Sequence, residues 1–154
     1  MAMMDDNALF VDTNILVDTN ILVYANVIET PFHEQVLAAI NSAYEAERTI
    51  WISRQVIREY LVTLTRPQVF ENLPRTTVLE QVDQFIERFQ VADDTAAVSE
   101  QLFKLTSDFK IGGKQVHDAN IVASMLAYDV PCLLTHNVKD FKRFGEVIKI
   151  EGIN

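Results

Sequence analysis

The run Asp12-Thr-Asn-Ile-Leu-Val17-Asp18-Thr-Asn-Ile-Leu-Val23 carries the same six residues twice in succession. Within it a short apolar segment, Ile15-Leu-Val17, stops at an acidic residue, Asp18. Just upstream, Ala8-Leu-Phe-Val11 stops in the same way at Asp12. Both segments read as strands, and each aspartate falls at a strand's carboxyl end. The unit is too short to be a structural repeat. It has the form of a small in-frame duplication at a strand-to-helix junction.

Outward from this run, helical and strand patterns alternate. Pro31 to Glu47 reads as a helix through Val36, Ala39, Ile40 and Ala43. Thr49-Ile-Trp-Ile52 is a β-branched and aromatic strand. Gln55 to Leu64 returns to helical period and stops before Pro67, and Thr77 to Phe89 repeats the pattern. A helix over Ala96 to Phe109 precedes the break at Gly112-Gly113, and another follows over His117 to Tyr128. Pro131 to Thr135 reads as a strand, Val138 to Phe144 as a short helix and Val147 to Ile150 as a last strand. Most of these strands are continuous apolar runs rather than alternating ones. That combination predicts an α/β fold whose mainly parallel sheet is covered on both faces. Sites in such sheets gather beyond the carboxyl ends of the strands.

With 154 residues, 49% hydrophobic and 23% charged, the chain fits one globular domain over residues 1–154. Four glycines and four prolines argue against a disordered or collagen-like chain. No apolar run approaches the roughly 20 residues that cross a bilayer. Met1-Ala-Met-Met-Asp-Asp6 lacks a basic segment, so no secretory signal is expected. The single cysteine, Cys132, lies in the apolar run Pro131 to Leu134 and reads as a small buried hydrophobe. A reducing cytoplasm is the expected location. The formal net charge of −9 argues against a general nucleic-acid binder, because phosphate contacts need Lys and Arg. A site built of several carboxylates would itself contribute to such a charge, so local charge decides.

Five carboxylates stand where acidic residues interrupt apolar segments. Asp12 and Asp18 follow strands. Glu59 breaks the stripe between Val56 and Val62, Asp118 opens a helix one turn before Ile121, and Asp140 follows the strand at Cys132 and precedes Phe141. Each has a structural alternative. Asp118 and Asp18 suit helix N-caps, Glu59 suits a solvated helix face, and Asp140 suits a surface position above Phe141 and Phe144. If they converge, their mutual repulsion is relieved by a divalent cation. Oxygen ligands suit Mg²⁺ or Mn²⁺, and a pair of such ions activates water against a phosphodiester. No nucleophile elbow or Gly-rich phosphate loop competes with this reading.

Four segments carry a family resemblance: Phe10-Val-Asp-Thr-Asn-Ile-Leu-Val17 or its second copy through Tyr24-Ala25, Ile52-Ser-Arg-Gln-Val-Ile-Arg-Glu-Tyr60, Val116-His-Asp-Ala-Asn-Ile-Val-Ala123 and Leu133-Leu-Thr-His-Asn-Val-Lys-Asp-Phe141. In this order and spacing they resemble the PIN-domain family, particularly its VapC-type toxin ribonucleases, from about Ala8 to Ile150. The resemblance implies a three-layer α/β/α sandwich and a Mg²⁺- or Mn²⁺-dependent endoribonuclease. It puts the acidic positions on Asp18 (with Asp12 as the alternative), Glu59, Asp118 and Asp140. Thr19, Thr135 and Asn137 match the supporting polar residues. It further implies RNA as substrate, a cognate antitoxin that blocks the site, and a homodimer. The duplication departs from the family pattern, which has one Asp-Thr-Asn unit. Asp18 is favoured because it keeps the usual connection into Tyr24-Ala-Asn26; using Asp12 would add six residues to the first helix and turn its downstream face by well over half a turn.

The remaining polar residues read more simply. His117 suits helix entry, His136 a loop or substrate contact, and His33 a helix start. None of them has zinc-site spacing with Cys132. Trp51 belongs to the core. Arg54, Arg58, Lys114, Lys139, Lys142 and Arg143 flank the acidic motifs, either as a basic rim or as a mixed solvated surface. The apolar residues of Val27 to Pro31 and Phe70 to Leu73 suit either a protein partner or closure of the core. Two further functions compete with the ribonuclease: a catalytically impaired PIN-like module that binds RNA or a protein partner, and a phosphatase or DNA nuclease on the same site.

Overall fold

The computed structural model describes residues 13–67 and 73–153. The strand expected at Ala8 to Val11, and Asp12 with it, lie outside the described residues, as does most of Phe70 to Leu73. Five parallel strands form one sheet: β1 (Asn14–Val17), β2 (Thr49–Ser53), β3 (Gln90–Ala92), β4 (Cys132–Leu134) and β5 (Lys149–Glu151). Seven helices are interleaved: α1 (Thr19–Asn26), α2 (His33–Glu45), α3 (Arg54–Leu64), α4 (Arg75–Arg88), α5 (Ala96–Asp108), α6 (Gln115–Ala127) and the single turn α7 (Val138–Phe141), which continues into a 3₁₀ turn.

Successive side chains of a strand point to opposite faces. In β1, Ile15, Leu16 and Val17 are all buried, and in β4 so are Cys132, Leu133 and Leu134. Both faces of the sheet are therefore covered, which makes the α/β/α sandwich. The continuous apolar runs follow from this double burial.

The strand order is β3-β2-β1-β4-β5. The chain builds outward from β1 through β2 to β3, then returns to the other side of β1 for β4 and β5. The order reverses between β1 and β4, and such a switch point opens a crevice at the strands' carboxyl ends. Leu16 stands at the centre, aligned with Trp51 on one side and Leu133 on the other.

Three expectations shift. β3 falls between the expected helices ending at Phe89 and starting at Ala96, where the sequence assigns no element; it is a strand because Trp51, Ile52 and Ser53 pair with it. β5 begins two residues later than Val147, because Val147 and Ile148 still close turns onto the carbonyl of Phe144. Asp118 is not a helix cap: α6 begins three residues earlier, at Gln115, after Gly113 has taken a positive φ of 60° that its missing Cβ permits.

Candidate active site

β1 and β4 deliver the centre of the site. The backbone N–H of Asp18 donates to the carbonyl of Leu134 at 3.0 Å, extending the ladder to the switch point. Asp18 then caps α1 in extended geometry. Its Oδ1 accepts from the Thr19 N–H and its Oδ2 from the Thr135 hydroxyl, both at 2.8 Å. The Thr135 hydroxyl in turn accepts from the Asn137 N–H at 3.0 Å. Asp18 thus serves as the cap the sequence allowed and also faces the crevice.

α3 brings Glu59 to the same place. Thr19 Oγ1 donates to Glu59 Oε2 at 2.8 Å, and Gln55 Nε2 donates to Glu59 Oε1 at 2.9 Å. Gln55 also donates to the His117 carbonyl at 2.8 Å and accepts from Asn120 Nδ2 at 2.7 Å. A carboxylate and a carbonyl only accept, so the orientation of this buried amide is settled by its partners. It joins α3 to α6 and so links the Glu59 and Asp118 helices. Asp118, in the first turn of α6, is half-buried and accepts no hydrogen bond from the described residues. Two carboxylates are therefore held and one is open.

Asp18, Glu59, Asp118 and Asn137 line one cleft of about 540 Å³, with α1 and α3 as walls. Asp140 does not line it. It is exposed on α7 above buried Phe141 and Phe144, and close enough to Asp118 to act on it electrostatically. Burial pushes the Asp18 carboxyl up to about 6; the bonds from Thr135 and Thr19 oppose this, and the charges of Glu59 and Asp118 add to it. Asp118 is raised as well, first by burial and then by Asp140 and Glu59, with Arg143 and His117 pulling the other way. A cluster that resists its own ionisation is suited to a cation.

The donor set fits a hard divalent ion. All the cleft's candidate ligands are oxygens, which suit Mg²⁺ or Mn²⁺. Among the described residues no three His, Cys, Asp or Glu side chains converge at coordination distance. Mg²⁺ commonly takes one or two carboxylates and fills its octahedron with water and phosphate oxygens, so this spacing accommodates it.

Other residues depart from expectation. His136 is half-buried rather than a solvated loop residue: its ring centroid lies 4.3 Å from that of Phe32 and 5.5 Å from that of Tyr24. His33, at its helix start, has Nδ1 2.7 Å from the Tyr24 carbonyl oxygen. Arg54 and Arg58 are tied to Asp93 and Asp94 at 2.8 and 3.0 Å, which takes them out of the basic rim. Gln55, Asn120 and Arg66 were not foreseen. A signal existed for the first: Gln55 lies four residues before Glu59, on the same helical face. No described helix is long and apolar enough to cross a membrane.

The geometry agrees with comparison to known proteins. The PIN domain family model matches residues 10–147. No curated protein matches the sequence significantly. Among solved structures, VapBC2 from Rickettsia felis, bound to a promoter DNA fragment, aligns at a TM-score of 0.70 and 22% identity, covering 92% of this chain and 99% of that one. A toxin–antitoxin complex from Klebsiella pneumoniae aligns at 0.56 and 21%, covering 82% and 89%. VapC20 from Mycobacterium tuberculosis, a sarcin-ricin loop cleaving toxin, aligns at 0.59 and 16%, covering 77% and 86%. At such identities the likeness is one of fold. The family match, which spans all four acidic segments, is one of sequence: this chain belongs to the PIN-domain family.

Proposed function

We propose that this protein is a divalent-metal-dependent endoribonuclease and the toxin of a toxin–antitoxin pair. The observation that carries this reading is the meeting of Asp18, Glu59 and Asp118 in one cleft at the sheet's switch point. The toxin–antitoxin reading rests on the kinds of protein that share the fold, a toxin–antitoxin complex and an RNA-cleaving toxin among them. A homodimer is part of the same proposal.

Asp18, Glu59 and Asp118 would hold Mg²⁺ or Mn²⁺, with Asp140 adding negative charge beside Asp118. When bound, the metal supplies an activated water and neutralises charge on the leaving oxygen. The chain's own part is preorganisation. Thr19 and Thr135 hold Asp18, Thr19 and Gln55 hold Glu59, and Asn137 fixes Thr135 from the next loop. Each donor keeps a carboxylate aimed before substrate arrives, so little reorganisation remains at the moment of reaction.

The test is cleavage of structured and unstructured RNA with Mg²⁺, Mn²⁺ or EDTA, beside Asp118→Asn. Cleavage that needs metal and is lost in the variant supports the proposal. Cleavage that survives EDTA or the substitution overturns it. DNA in the same panel separates a ribonuclease from a DNA nuclease, since the carboxylates do not themselves read a 2′-hydroxyl. A silent module that binds RNA or protein without turnover is the second reading. One observation favours it: the duplicated Asp-Thr-Asn unit alters the segment that carries the first acidic position.

A further inference from the structure

The cleft continues past its carboxylates. Glu59, Val62, Thr63 and Arg66 line one wall, and their spacing of three, four and seven residues is one face of α3 and its end. Asp18, Thr19, Val23 and Tyr24 line the facing wall from α1. At 1.5 Å per residue, Tyr24 lies roughly 9 Å along α1 from Asp18, and Arg66 stands just past the end of α3, on the side away from Glu59. The cleft therefore has an acidic end and a far end, and Arg66 is the one cation among the described residues lining it.

Arg66 is exposed and makes no ion pair among the described residues, unlike Arg54 and Arg58. It is also absent from the charges that act on Asp18 and Asp118. A guanidinium that pairs with no described residue and does not temper the acidic cluster is placed to take an anion. The wall opposite is aromatic: the Tyr24 ring packs with its centroid 5.3 Å from that of Phe32 and 5.5 Å from that of His136. Thr30 and Thr63 add hydroxyls to an otherwise apolar lining of Val23, Val62 and Ile121. A volume of about 540 Å³ is of the size that takes one or two nucleotide units.

We propose that the far end of the cleft is a subsite for the neighbouring nucleotide of a single-stranded chain, with Arg66 on its phosphate and the Tyr24 side as its wall. This rests on the nuclease reading for the identity of the ligand. In a chain of net charge −9, a guanidinium one unit away from the reacting phosphate gives the strand a local anchor and sets its register.

The test is binding of a fluorescein-labelled single-stranded oligoribonucleotide, followed by anisotropy in Mg²⁺ over a range of salt. Asp118→Asn serves as the background that spares the probe. Adding Arg66→Ala is expected to weaken binding roughly tenfold, the worth of a charge-assisted hydrogen bond, and to lower the salt slope by about 0.7. Arg66→Lys should restore the slope but only part of the affinity, because a lysine lacks the fork. In the wild-type background, Arg66→Ala should raise KM with kcat within about twofold. Unchanged affinity and slope in a folded Arg66→Ala protein would overturn the subsite and leave the nuclease reading standing. Binding that depends on Arg66 in a wild-type protein that cleaves nothing would uphold the subsite and end the nuclease reading. No binding in the Asp118→Asn background would overturn the subsite.

Discussion

The Thr135 hydroxyl donates to Asp18 Oδ2 at 2.8 Å across 117 positions of sequence. It ties the end of β4 to the end of β1 at the point where the sheet reverses its order. Both groups are buried, with Thr135 fully so and Asp18 5% exposed. The bond therefore acts in low dielectric, where it is strong and costly to lose.

Thr135→Val should expose that cost. Valine matches the shape but removes the hydroxyl, so the carboxylate loses a donor and the Asn137 N–H loses its acceptor. Stability should fall by about 1–3 kcal/mol. Because this bond holds the Asp18 carboxyl down, its loss pushes that carboxyl further above about 6. The acid limb of the cleavage profile should then move to higher pH, while Thr135→Ser should resemble the parent. Thermal melts and a pH–rate profile read both effects. A melt that drops with no movement of the acid limb would mean that Thr135 only packs.

Asp18 also sets a pH dependence for the metal-free protein. Its carboxyl is at about 6 when folded and at the ordinary 3.8 when unfolded. A raised value favours folding most when the group is protonated. That contribution is complete below about 4 and is lost as pH rises through about 6. The difference of about 2 units is worth about 3 kcal/mol at pH 7. In EDTA, Asp18→Asn should therefore be more stable than the parent by up to that amount at pH 7.5, and the gap should close toward pH 4. Adding Mg²⁺ should stabilise the parent and not the variant. Melts at the two pH values decide it: a gap of constant size would show that the charge of Asp18 is not what burial opposes.

How far the sequence carries depends on which interactions write themselves into side chains. The parallel sheet was legible because Ile15 to Val17 and Cys132 to Leu134 are buried on both faces and so are apolar at every position. Asp18, Glu59 and Asp118 were legible as acidic breaks in apolar stripes. β3 was not, because three residues held by backbone hydrogen bonds to β2 leave little pattern, and Gln90 is exposed. Asp140 matched its motif, yet its exposed place outside the cleft lining depends on how the single turn of α7 packs on Phe141 and Phe144. Gln55 hid for the opposite reason: its partners on α6 lie 62 and 65 residues away, and no local spacing announces them.

Gln55 should accordingly behave as a positioning residue. Gln55→Met keeps the bulk but releases Glu59, the His117 carbonyl and Asn120 together. Leaving those groups unsatisfied should cost about 1–3 kcal/mol. A misaligned Glu59 should lower kcat by roughly ten- to a hundredfold while KM stays within about twofold. A double-mutant cycle with Asn120→Ala should give a coupling of about 0.5–3 kcal/mol, because the two side chains touch. Equal losses in kcat and in folded fraction would reduce Gln55 to a stability role.

The duplication offers the sharpest comparison. The first copy supplies β1 and the second supplies the capping aspartate of α1, so Asp18→Asn should abolish cleavage and Asp12→Asn should leave it within about twofold. Deleting Asp12 to Val17 tests the insertion itself. The deletion sets Ala8-Leu-Phe-Val11 directly before Asp18. Leu9, Phe10 and Val11 then stand where Ile15, Leu16 and Val17 are buried. Only Phe10 is larger than the residue it replaces, between Trp51 and Leu133, and overpacking of that kind costs about 1–3 kcal/mol. The shortened protein should fold with a lowered melting temperature, cleave RNA with the same metal requirement, and lose cleavage on Asp18→Asn. A shortened protein that folds but no longer cleaves would mean that the extra six residues have become part of the site.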